Sequence, residues 1–291
     1  MDDSTKDSGK CMSIEILGGL GNQLFQIAAV HIYNNNLIDK KRIVFKYEEN
    51  LPNMHHLLRK TYWNSLFKDQ YTVLNQEEYN KINWFNMYEF NPHINNIHLF
   101  SAFPHNILFK GYFQAFTYID DSIREQLQDV IYSNKELVKT VTNLYNDIKS
   151  NFESAEDNDI VSLHIRRTDY VFSSTFHHNL SLDYYKQALT IADKKYVVVF
   201  SDDIEWCKEN VNTSLYPFTN VHYVDIQNVE LEFLLMSMIQ HNIIANSTFS
   251  LWSSFISKHK DKIIVAPKTW YGPDGHKEWS QIYHKYITHI I

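Results

Sequence analysis

The chain has 291 residues, of which 44% are hydrophobic and 15% are aromatic, and its formal net charge is -7. Two domains of about 150 residues each are the natural expectation for this length, and the apolar content excludes a disordered or collagen-like protein. The acidic balance argues against a nucleic-acid partner, which needs a basic face to neutralise phosphates. A small anionic ligand would therefore need a local basic site.

Cysteine usage and hydropathy predict a soluble, cytoplasmic protein. Cys11 and Cys207 lie far apart and form neither a disulfide framework nor a zinc-ligand pattern, which fits a reducing compartment. The polar residues 1–11 are predicted to be a flexible extension and not a signal peptide. No run of about 18 apolar residues occurs, so the sequence predicts no transmembrane anchor.

A short strand and a helix, joined by a glycine-rich loop, are the first predicted elements. Residues 13–17 read as the strand, and residues 22–35 have apolar side chains at helical spacing. From residue 42 to residue 116, short apolar runs mix with polar and aromatic residues, and only 107–110 is predicted as a strand. Residues 119–149 then follow a long helical pattern.

A charged stretch at residues 150–159 suits a boundary between two domains, predicted over 12–150 and 151–291. Beyond it, apolar strands alternate with helices. Such repeated steps predict an α/β domain with a parallel sheet that is covered on both faces. The strands are predicted at 160–165, 196–200, 221–224, 243–245 and 263–266, and the helices at 181–192, 204–209, 230–240 and 248–258.

The glycine-rich loop after the first strand is a candidate ligand site. Three of the seven glycines in the chain, Gly18, Gly19 and Gly21, fall within four residues. Glycines there let the backbone approach a ligand closely, and Asn22 and Gln23 could hydrogen-bond that ligand. The loop matches neither the dinucleotide fingerprint nor the phosphate-binding P-loop.

Two adjacent arginines, Arg166 and Arg167, leave the first strand of the second half. Their N–H groups can bind a diphosphate while a neighbouring carboxylate such as Asp169 holds one of them in place. A purely structural arginine–aspartate pair is the alternative. Because ligands of an open parallel sheet lie beyond the carboxyl ends of its strands, the position favours diphosphate binding.

Two further polar segments also follow predicted strands. Asp202 and Asp203 could accept the ring N–H and the exocyclic amine of guanine, whereas the alternative is that they cap the next helix. Asn246, Ser247 and Thr248 place hydroxyl and backbone N–H groups at a predicted helix N-terminus, which suits an anion, and simple capping is again the alternative.

The sequence predicts no metal requirement and no cofactor. An Asp-x-Asp motif for a metal-bound sugar nucleotide should follow a strand, but Asp157-Asn158-Asp159 precedes one. The fifteen histidines show no His-Glu-x-x-His spacing. Arg166 and Arg167 are therefore expected to neutralise a leaving diphosphate.

Five ordered motifs together resemble the α-1,2-fucosyltransferase family, glycosyltransferase family 11, between residue 14 and about residue 270. The motifs are Gly18-Gly-Leu-Gly-Asn-Gln-Leu-Phe-Gln26, Gly111-Tyr-Phe-Gln114, His164-Ile-Arg-Arg-Thr-Asp-Tyr170, Phe200-Ser-Asp-Asp203 and Asn246-Ser-Thr-Phe-Ser-Leu-Trp252. The resemblance implies a GT-B-like α/β fold of two Rossmann-type domains facing a cleft. It also implies GDP-fucose as donor, a glycan as acceptor, inversion at the anomeric carbon and no metal.

The same resemblance implies roles for individual residues of the second domain. Arg166 would hold the β-phosphate and assist its departure, and Arg167 would support it. His164 and either Asp202 or Asp203 would contact the nucleoside.

By similarity to the family, Ser247 and Thr248 would meet the phosphates, and Gly21 and Asn22 would reach the donor from the other domain. The chain departs from the family pattern at Thr168, where a glycine is common, and at residues 239–240 and 251–254.

The expected reaction is attack of an acceptor hydroxyl on the fucose anomeric carbon, with Arg166 stabilising the charge on the diphosphate. Asp169 is the first candidate for the base, ahead of His177 and His178. The alternatives are a transferase for another nucleotide sugar, a non-catalytic carbohydrate-binding homologue and, less favoured, an oxidoreductase. Galactose, N-acetylglucosamine and rhamnose ends are all open as acceptors.

Overall fold

The structure, a computed structural model, describes residues 9–51, 59–89 and 101–291 and divides into two compact units. The first unit extends to Asn134 and also includes Glu278–Tyr283, and the second comprises Lys135–Lys277 and His284–Ile291. The boundary expected at residue 150 thus lies earlier, between Asn134 and Lys135. Asn134 belongs with the first unit because its side-chain amide donates to the Ser65 carbonyl at 3.0 Å.

Short strands build the first unit, and most of them were not predicted. In chain order they are β1 Cys11–Ile14, β2 Arg42–Lys46, β3 Asn50–Leu51, β4 Arg59–Lys60, β5 Thr72–Leu74, β6 Trp84–Tyr88 and β7 Asn106–Lys110. Five of these strands form a parallel sheet in the order β5-β2-β1-β7-β6, and β3 pairs with β4 antiparallel. The helices of this unit are α1 Leu20–Asn36, α2 Gln76–Asn80 and α3 Asp121–Ile131.

The first strand starts earlier than the sequence indicated. Residues 1–8 of the expected extension lie outside the described residues, but Cys11 is buried and belongs to β1, so the prediction is wrong for this residue. Cys11 pairs with Arg42 of β2, and its backbone N–H donates to the Asn106 side chain at 2.8 Å. These partners lie far away in the sequence, which is why local polarity was misleading.

The single helical stretch predicted over 119–149 is two helices, α3 and α4 Lys135–Ser150. Asp120 caps α3 through the backbone N–H of Ile123. Near the helix end the Ser133 hydroxyl bonds back to the Val130 carbonyl, an alternative to continuing the helix. None of the helices in the described part of the chain is long and apolar enough to cross a bilayer.

The second unit confirms the predicted parallel sheet. Its strands are β8 Ile160–Ile165, β9 Tyr196–Ser201, β10 Asn220–Tyr223, β11 His241–Ile243, β12 Ile264–Ala266 and the unpredicted β13 His289–Ile290. They are parallel throughout, in the order β10-β9-β8-β11-β12-β13. After α4, the helices are α5 Thr168–Phe172, α6 Leu182–Ala192, α7 Ile204–Asn210, α8 Val229–Met238 and α9 Thr248–Ile256.

A continuous apolar core fixes the central strands of this sheet. Val161 and Leu163 of β8 and Val197 and Val199 of β9 pack in one cluster that includes Tyr185 of α6, and all five are essentially inaccessible to solvent. Each such side chain contributes roughly 1.5–3 kcal/mol by leaving water. The carboxyl ends of β8 and β9 are thereby rigid supports for the polar residues that follow them.

Candidate active site

The predicted site residues form two groups, one in each unit. In the second unit, Arg166 and Arg167 follow β8, and each is paired with carboxylates. Arg166 Nη2 lies 2.8 Å from Asp169 Oδ1 and its Nη1 lies 3.1 Å from Asp202 Oδ2. Arg167 Nε donates to Asp203 Oδ2 at 3.0 Å. The sequence of adjacent arginines thus gives two guanidinium groups with fixed orientations.

Arg166 carries its charge in a partly enclosed position, with its side chain 19% exposed. Burial disfavours the guanidinium cation, but Asp202 and Asp169 more than offset this effect and the pKa of Arg166 is raised. A guanidinium has about five N–H donors, so two ion pairs do not exhaust them. Arg166 can therefore bind an additional anion while its carboxylate partners hold it.

Asp202 organises the two arginines. Its Oδ1 accepts the backbone N–H of Arg167 at 2.9 Å. Its Oδ2 accepts the backbone N–H and the hydroxyl of Thr168 in addition to pairing with Arg166. The geometry supports a positioning role for Asp202, and the guanine contact suggested by the sequence remains a prediction.

Asp203 caps the next helix, which was the alternative to a contact with guanine. Besides pairing with Arg167, it caps α7, because its Oδ1 accepts the backbone N–H of Trp206 at 3.3 Å. The Arg167 guanidinium lies 3.8 Å from the centre of the Trp206 ring, which adds a cation–π contact. Asp203 and Trp206 together hold Arg167 from two sides.

Asp169, the predicted base, is instead a partner of Arg166. A carboxylate that neutralises a neighbouring guanidinium is a poor proton acceptor. The 2.8 Å ion pair therefore supports a positioning role for Asp169, and the structure gives no support to its role as a base. The other candidates differ in environment: His177 stacks on Tyr170 at 4.1 Å, whereas the His178 carbonyl accepts from the Asn246 side chain.

His164, at the end of β8, is buried and neutral. Burial lowers its pKa to about 3, and Arg166 adds to this effect. Its Nδ1 lies 2.9 Å from the hydroxyl of Ser250 in α9, so the imidazole joins β8 to the first turn of that helix. The predicted contact of His164 with the nucleoside remains a prediction.

The segment before α9 contains Asn246, which is bound to two other loops, and the N-terminus of the helix. The Asn246 side-chain amide donates to the carbonyls of His178 and Trp270 at 2.9 and 2.7 Å, so Asn246 joins three loops, and its contact with a ligand remains a prediction. Ser247 is the N-cap residue of α9, but its side chain makes no capping hydrogen bond. The first turn of α9 lies at the positive end of the helix, which is a favourable position for an anion.

The second group of predicted residues surrounds the glycine loop of the first unit. Gly18 has a φ of +74°, and a Cβ atom there would lie 2.4 Å from Nδ2 of Asn22, so only glycine fits. Gly19 is the N-cap residue of α1, with no side-chain cap, and Gly21 is buried in the first turn. Asn22 follows on the same turn.

Gln23 differs from its neighbours because its side chain is fully buried. Its amide nitrogen donates to the Gly18 carbonyl at 3.0 Å and to the Lys60 carbonyl at 2.8 Å. These bonds support a role in fixing the loop, in place of the predicted contact with a ligand.

Sequence reasoning missed the residues that hold these groups in place. Thr168 donates its hydroxyl to Asp202, and the Tyr170 hydroxyl donates to the Asn246 carbonyl at 2.9 Å. In the first unit, Gln114 donates to Asn22 at 2.8 Å, and Glu89 accepts two backbone N–H groups next to Gln114. The Gly-Tyr-Phe-Gln motif pointed to Gln114, whereas no sequence pattern marked Glu89.

The sequence of the chain matches a known protein family. The model of glycosyl transferase family 11 matches residues 3–290. The O-antigen biosynthesis glycosyltransferase WbnK of Escherichia coli is 29% identical over 286 residues, covering 87% of this chain and 93% of that protein. An α-1,2-colitosyltransferase of Escherichia coli is 32% identical over 141 residues, covering 44% of this chain and 49% of that protein.

Solved structures show the fold. The crystal structure of POFUT1 in complex with GDP superposes with a TM-score of 0.54 at 13% identity, covering 90% of this chain and 99% of that one. The fucosyltransferase NodZ from Bradyrhizobium gives a TM-score of 0.52 at 12% identity, with coverages of 84% and 92%. The expected GT-B-like α/β fold is confirmed by these neighbours.

Proposed function

The chain belongs to glycosyltransferase family 11, and from this premise we propose that it transfers L-fucose from GDP-fucose to a sugar hydroxyl. The proposed product carries an α-1,2 linkage on a galactose-type or related acceptor. The family name supports glycosyl transfer, and two of its relatives are named as α-1,2-colitosyltransferase and galactoside 2-α-L-fucosyltransferase. Structures of POFUT1 with GDP-fucose and of NodZ soaked with GDP-fucose share the fold and suggest the donor.

One structural observation supports the binding of the donor diphosphate by the second unit. Arg166 follows β8, the N-terminus of α9 follows the adjacent strand β11, and the His164–Ser250 contact of 2.9 Å joins the two. Both features stabilise negative charge at the carboxyl edge of one sheet, where ligands of open parallel sheets lie. A diphosphate supplies such charge.

The proposed mechanism uses this charge stabilisation directly. The acceptor hydroxyl oxygen attacks the anomeric carbon from the face opposite GDP, while the bond from that carbon to the phosphate oxygen breaks. The diphosphate leaves with the electron pair, and Arg166 and the α9 N-terminus stabilise its growing negative charge. We propose that these donors suffice without a metal ion, and that solvent water accepts the proton of the attacking hydroxyl.

Another nucleotide sugar is the second candidate donor. The α-1,2-colitosyltransferase relative supports it, because that name shows a different sugar transferred by a protein 32% identical over 141 residues. The arginines and the helix N-terminus would bind a diphosphate whatever sugar it carries. A non-catalytic carbohydrate-binding role is disfavoured, because both arginines and their carboxylate partners are present.

A donor and acceptor panel tests the proposal. Purified protein is incubated with GDP-fucose, GDP-colitose, GDP-mannose or UDP-galactose, each with acceptors ending in galactose, N-acetylglucosamine or rhamnose. Product linkage is determined by NMR, and parallel reactions contain EDTA. We expect transfer from GDP-fucose to a 2-hydroxyl that persists in EDTA, whereas transfer only from another donor would contradict the proposal.

The variant Arg166→Ala tests the site that we assign to the leaving group. Loss of a preorganised donor of this kind lowers kcat on the order of 100–1000-fold. The matched control is Arg42→Ala, which removes an arginine from β2 in the other unit and should leave kcat unchanged. Both variants are first checked for native thermal unfolding. Wild-type turnover in a folded Arg166→Ala protein would refute the assignment.

A further inference from the structure

A tight turn after β7 has a backbone that only specific neighbours can hold. Gly111 has a φ of +150° and Phe113, although not a glycine, has a φ of +53°. A left-handed conformation at a bulky residue is costly and persists only where the surroundings enforce it. The Gly111 carbonyl accepts the side-chain amide of Gln26 in α1 at 2.9 Å, which fixes the start of the turn.

Glu89 fixes the rest of the turn. Its two carboxylate oxygens accept the backbone N–H groups of Tyr112 and Phe113, both at 2.6 Å. The Glu89 backbone also donates to the Lys110 carbonyl at 2.9 Å, which extends the pairing of β6 with β7. A Cβ atom on Gly111 would lie 2.4 Å from the Glu89 side chain, so this glycine leaves the space that the carboxylate occupies.

The turn ends at Gln114, which connects it to the glycine loop. Gln114 is buried, and its Nε2 donates to Oδ1 of Asn22 at 2.8 Å. This bond fixes which way the Asn22 amide faces, because its oxygen is directed to Gln114 and its nitrogen lies over Gly18. A contiguous set of polar contacts thus runs from Glu89 through the turn to the loop that follows β1.

We propose that Glu89 is a positioning residue for Asn22, acting through the backbone of Tyr112 and Phe113 and the side chain of Gln114. The inference rests on the proposed function and on the role that the family resemblance implies for Asn22, a contact with the donor sugar nucleotide. Glu89 itself touches no reacting atom. It sets the orientation of the Asn22 amide, and transfer is therefore expected to depend on the state of the Glu89 carboxyl group.

The ionised carboxylate is the form that accepts both N–H groups most strongly. Burial raises the pKa of Glu89 to about 7, although the two backbone hydrogen bonds oppose the shift. Among the residues that the structure describes, the titratable groups that interact with Glu89 are those of Tyr33 in α1 and of Tyr112, whose own pKa values are raised by burial and then by Glu89. Lys110, at the end of β7, pairs with Glu15 at 3.9 Å.

The first test is a pH profile of transfer from GDP-fucose. In the wild type we expect kcat to rise with pH through a midpoint near the Glu89 pKa of about 7. In Glu89→Gln, which keeps the side-chain shape, kcat should fall on the order of 10–100-fold and this rise should disappear. A merely structural role would lower the melting temperature and leave the midpoint of the pH profile where it was.

A double-mutant cycle tests whether Glu89 acts on Asn22 through Gln114. If Glu89 acts through Gln114, then the losses in kcat from Glu89→Gln and Gln114→Ala are not additive, because either change releases Asn22. Additive losses would refute the claim that Glu89 acts through Gln114. The control is Glu78→Gln, which removes another carboxylate bond to a backbone N–H, that of Asn75 in the capping box of α2. This control should leave the pH profile of kcat unchanged.

A measurement that needs no donor separates this inference from the proposed function. Hydrogen exchange by NMR follows the backbone amides of Tyr112 and Phe113 and the side-chain amide of Gln114 as the pH is varied. We expect their protection to increase through the Glu89 transition and this dependence to vanish in Glu89→Gln. Protection that is independent of Glu89 would refute the inference, whereas the expected pattern in a protein that transfers no fucose would refute only the proposed function.

Discussion

Nη1 of Arg166 lies 3.1 Å from Oδ2 of Asp202, a carboxylate that also accepts the backbone N–H of Arg167 at 2.9 Å. With Asp169 and Asp203, three carboxylates surround two arginines, so the formal charge of this cluster is not positive. Attraction of a diphosphate must therefore depend on where the N–H donors point and not on an excess of cations. Preorganised donors stabilise charge without reorganisation, which is the property that a leaving group requires.

The first prediction concerns Asp202. Asp202→Asn keeps the shape but weakens the pairing with Arg166 and Arg167, so we expect the KM for the donor to rise on the order of 10-fold and stability to fall by about 1–3 kcal/mol. The relative inhibition by GDP and other nucleoside diphosphates should be unchanged. Competition assays provide the measurement.

A selective loss of GDP inhibition in Asp202→Asn would instead show a contact with guanine. The matched control is Asp157→Asn, because Asp157 precedes β8 and pairs with Lys149 at the opposite end of that strand. Its replacement should leave the donor KM unchanged.

The second prediction concerns the hydroxyl of Thr168, which donates to Asp202. Thr168→Val removes the hydroxyl at nearly constant volume, and we expect a loss of about 0.5–1.5 kcal/mol in unfolding free energy. Transfer should fall several-fold, since Asp202 loses one of the donors that orient it. Thr168→Ser should retain wild-type kinetics, and equal losses in Thr168→Ser and Thr168→Val would exclude the hydroxyl as the cause.

Much of the second unit could be predicted from the sequence because the pattern that identifies each strand or helix lies within that segment. β8 and β9 are apolar runs bounded by polar turns, and the helices between the strands show clear periodicity. The first unit differs, since β2, β5 and β6 are short and owe their place to parallel partners far along the chain. Sequence patterns do not encode such pairings.

For the candidate site residues, the sequence predicted where each residue lies relative to its strand, but it did not predict which groups each side chain contacts. A polar residue after a strand lies at the carboxyl edge of its own sheet, and this is where the arginines follow β8 in the second unit and the glycine loop follows β1 in the first. Whether Asp202 or Asn246 faces a ligand or a neighbouring loop depends on groups tens of residues away, such as the Trp270 carbonyl. Glu89 was missed for the same reason, because its partners Tyr112 and Phe113 belong to a different strand end.

The third prediction is a pH dependence of stability with two opposing contributions. Burial lowers the pKa values of His31, His164 and His241 to about 4, 3 and 4, so their neutral forms favour the folded state above about pH 6.5 and this stability is lost at lower pH. Burial raises the pKa values of Glu89 and Glu232 to about 7. Their contribution is present below about pH 4.5 and is lost as the pH rises towards 7.

Between about pH 4.5 and 6.5, the buried histidines make the unfolding free energy rise with pH, whereas the buried glutamates make it fall. Glu89→Gln removes one of the two glutamates that make it fall. We therefore expect the unfolding free energy of Glu89→Gln to rise with pH more steeply than that of the wild type, by up to about 1.4 kcal/mol per pH unit. Urea unfolding at a series of pH values measures the slope. Equal slopes in the two proteins would show that Glu89 does not titrate in this window.

The fourth prediction compares two glycines that share a backbone conformation. Gly9 and Gly18 have φ values of +65° and +74°, but a Cβ atom on Gly9 meets nothing within 4 Å, whereas one on Gly18 would lie 2.4 Å from Nδ2 of Asn22. Replacement by alanine should cost each protein about 1–2 kcal/mol of backbone strain. Only Gly18→Ala should also displace Asn22, so only this variant should lose transfer activity, on the order of 10-fold or more. Urea unfolding and kcat measured on both variants separate the strain from the displacement. Equal activity in the two proteins would mean that the orientation of Asn22 does not matter for transfer, and Gly9→Ala shows how much of any loss comes from strain alone.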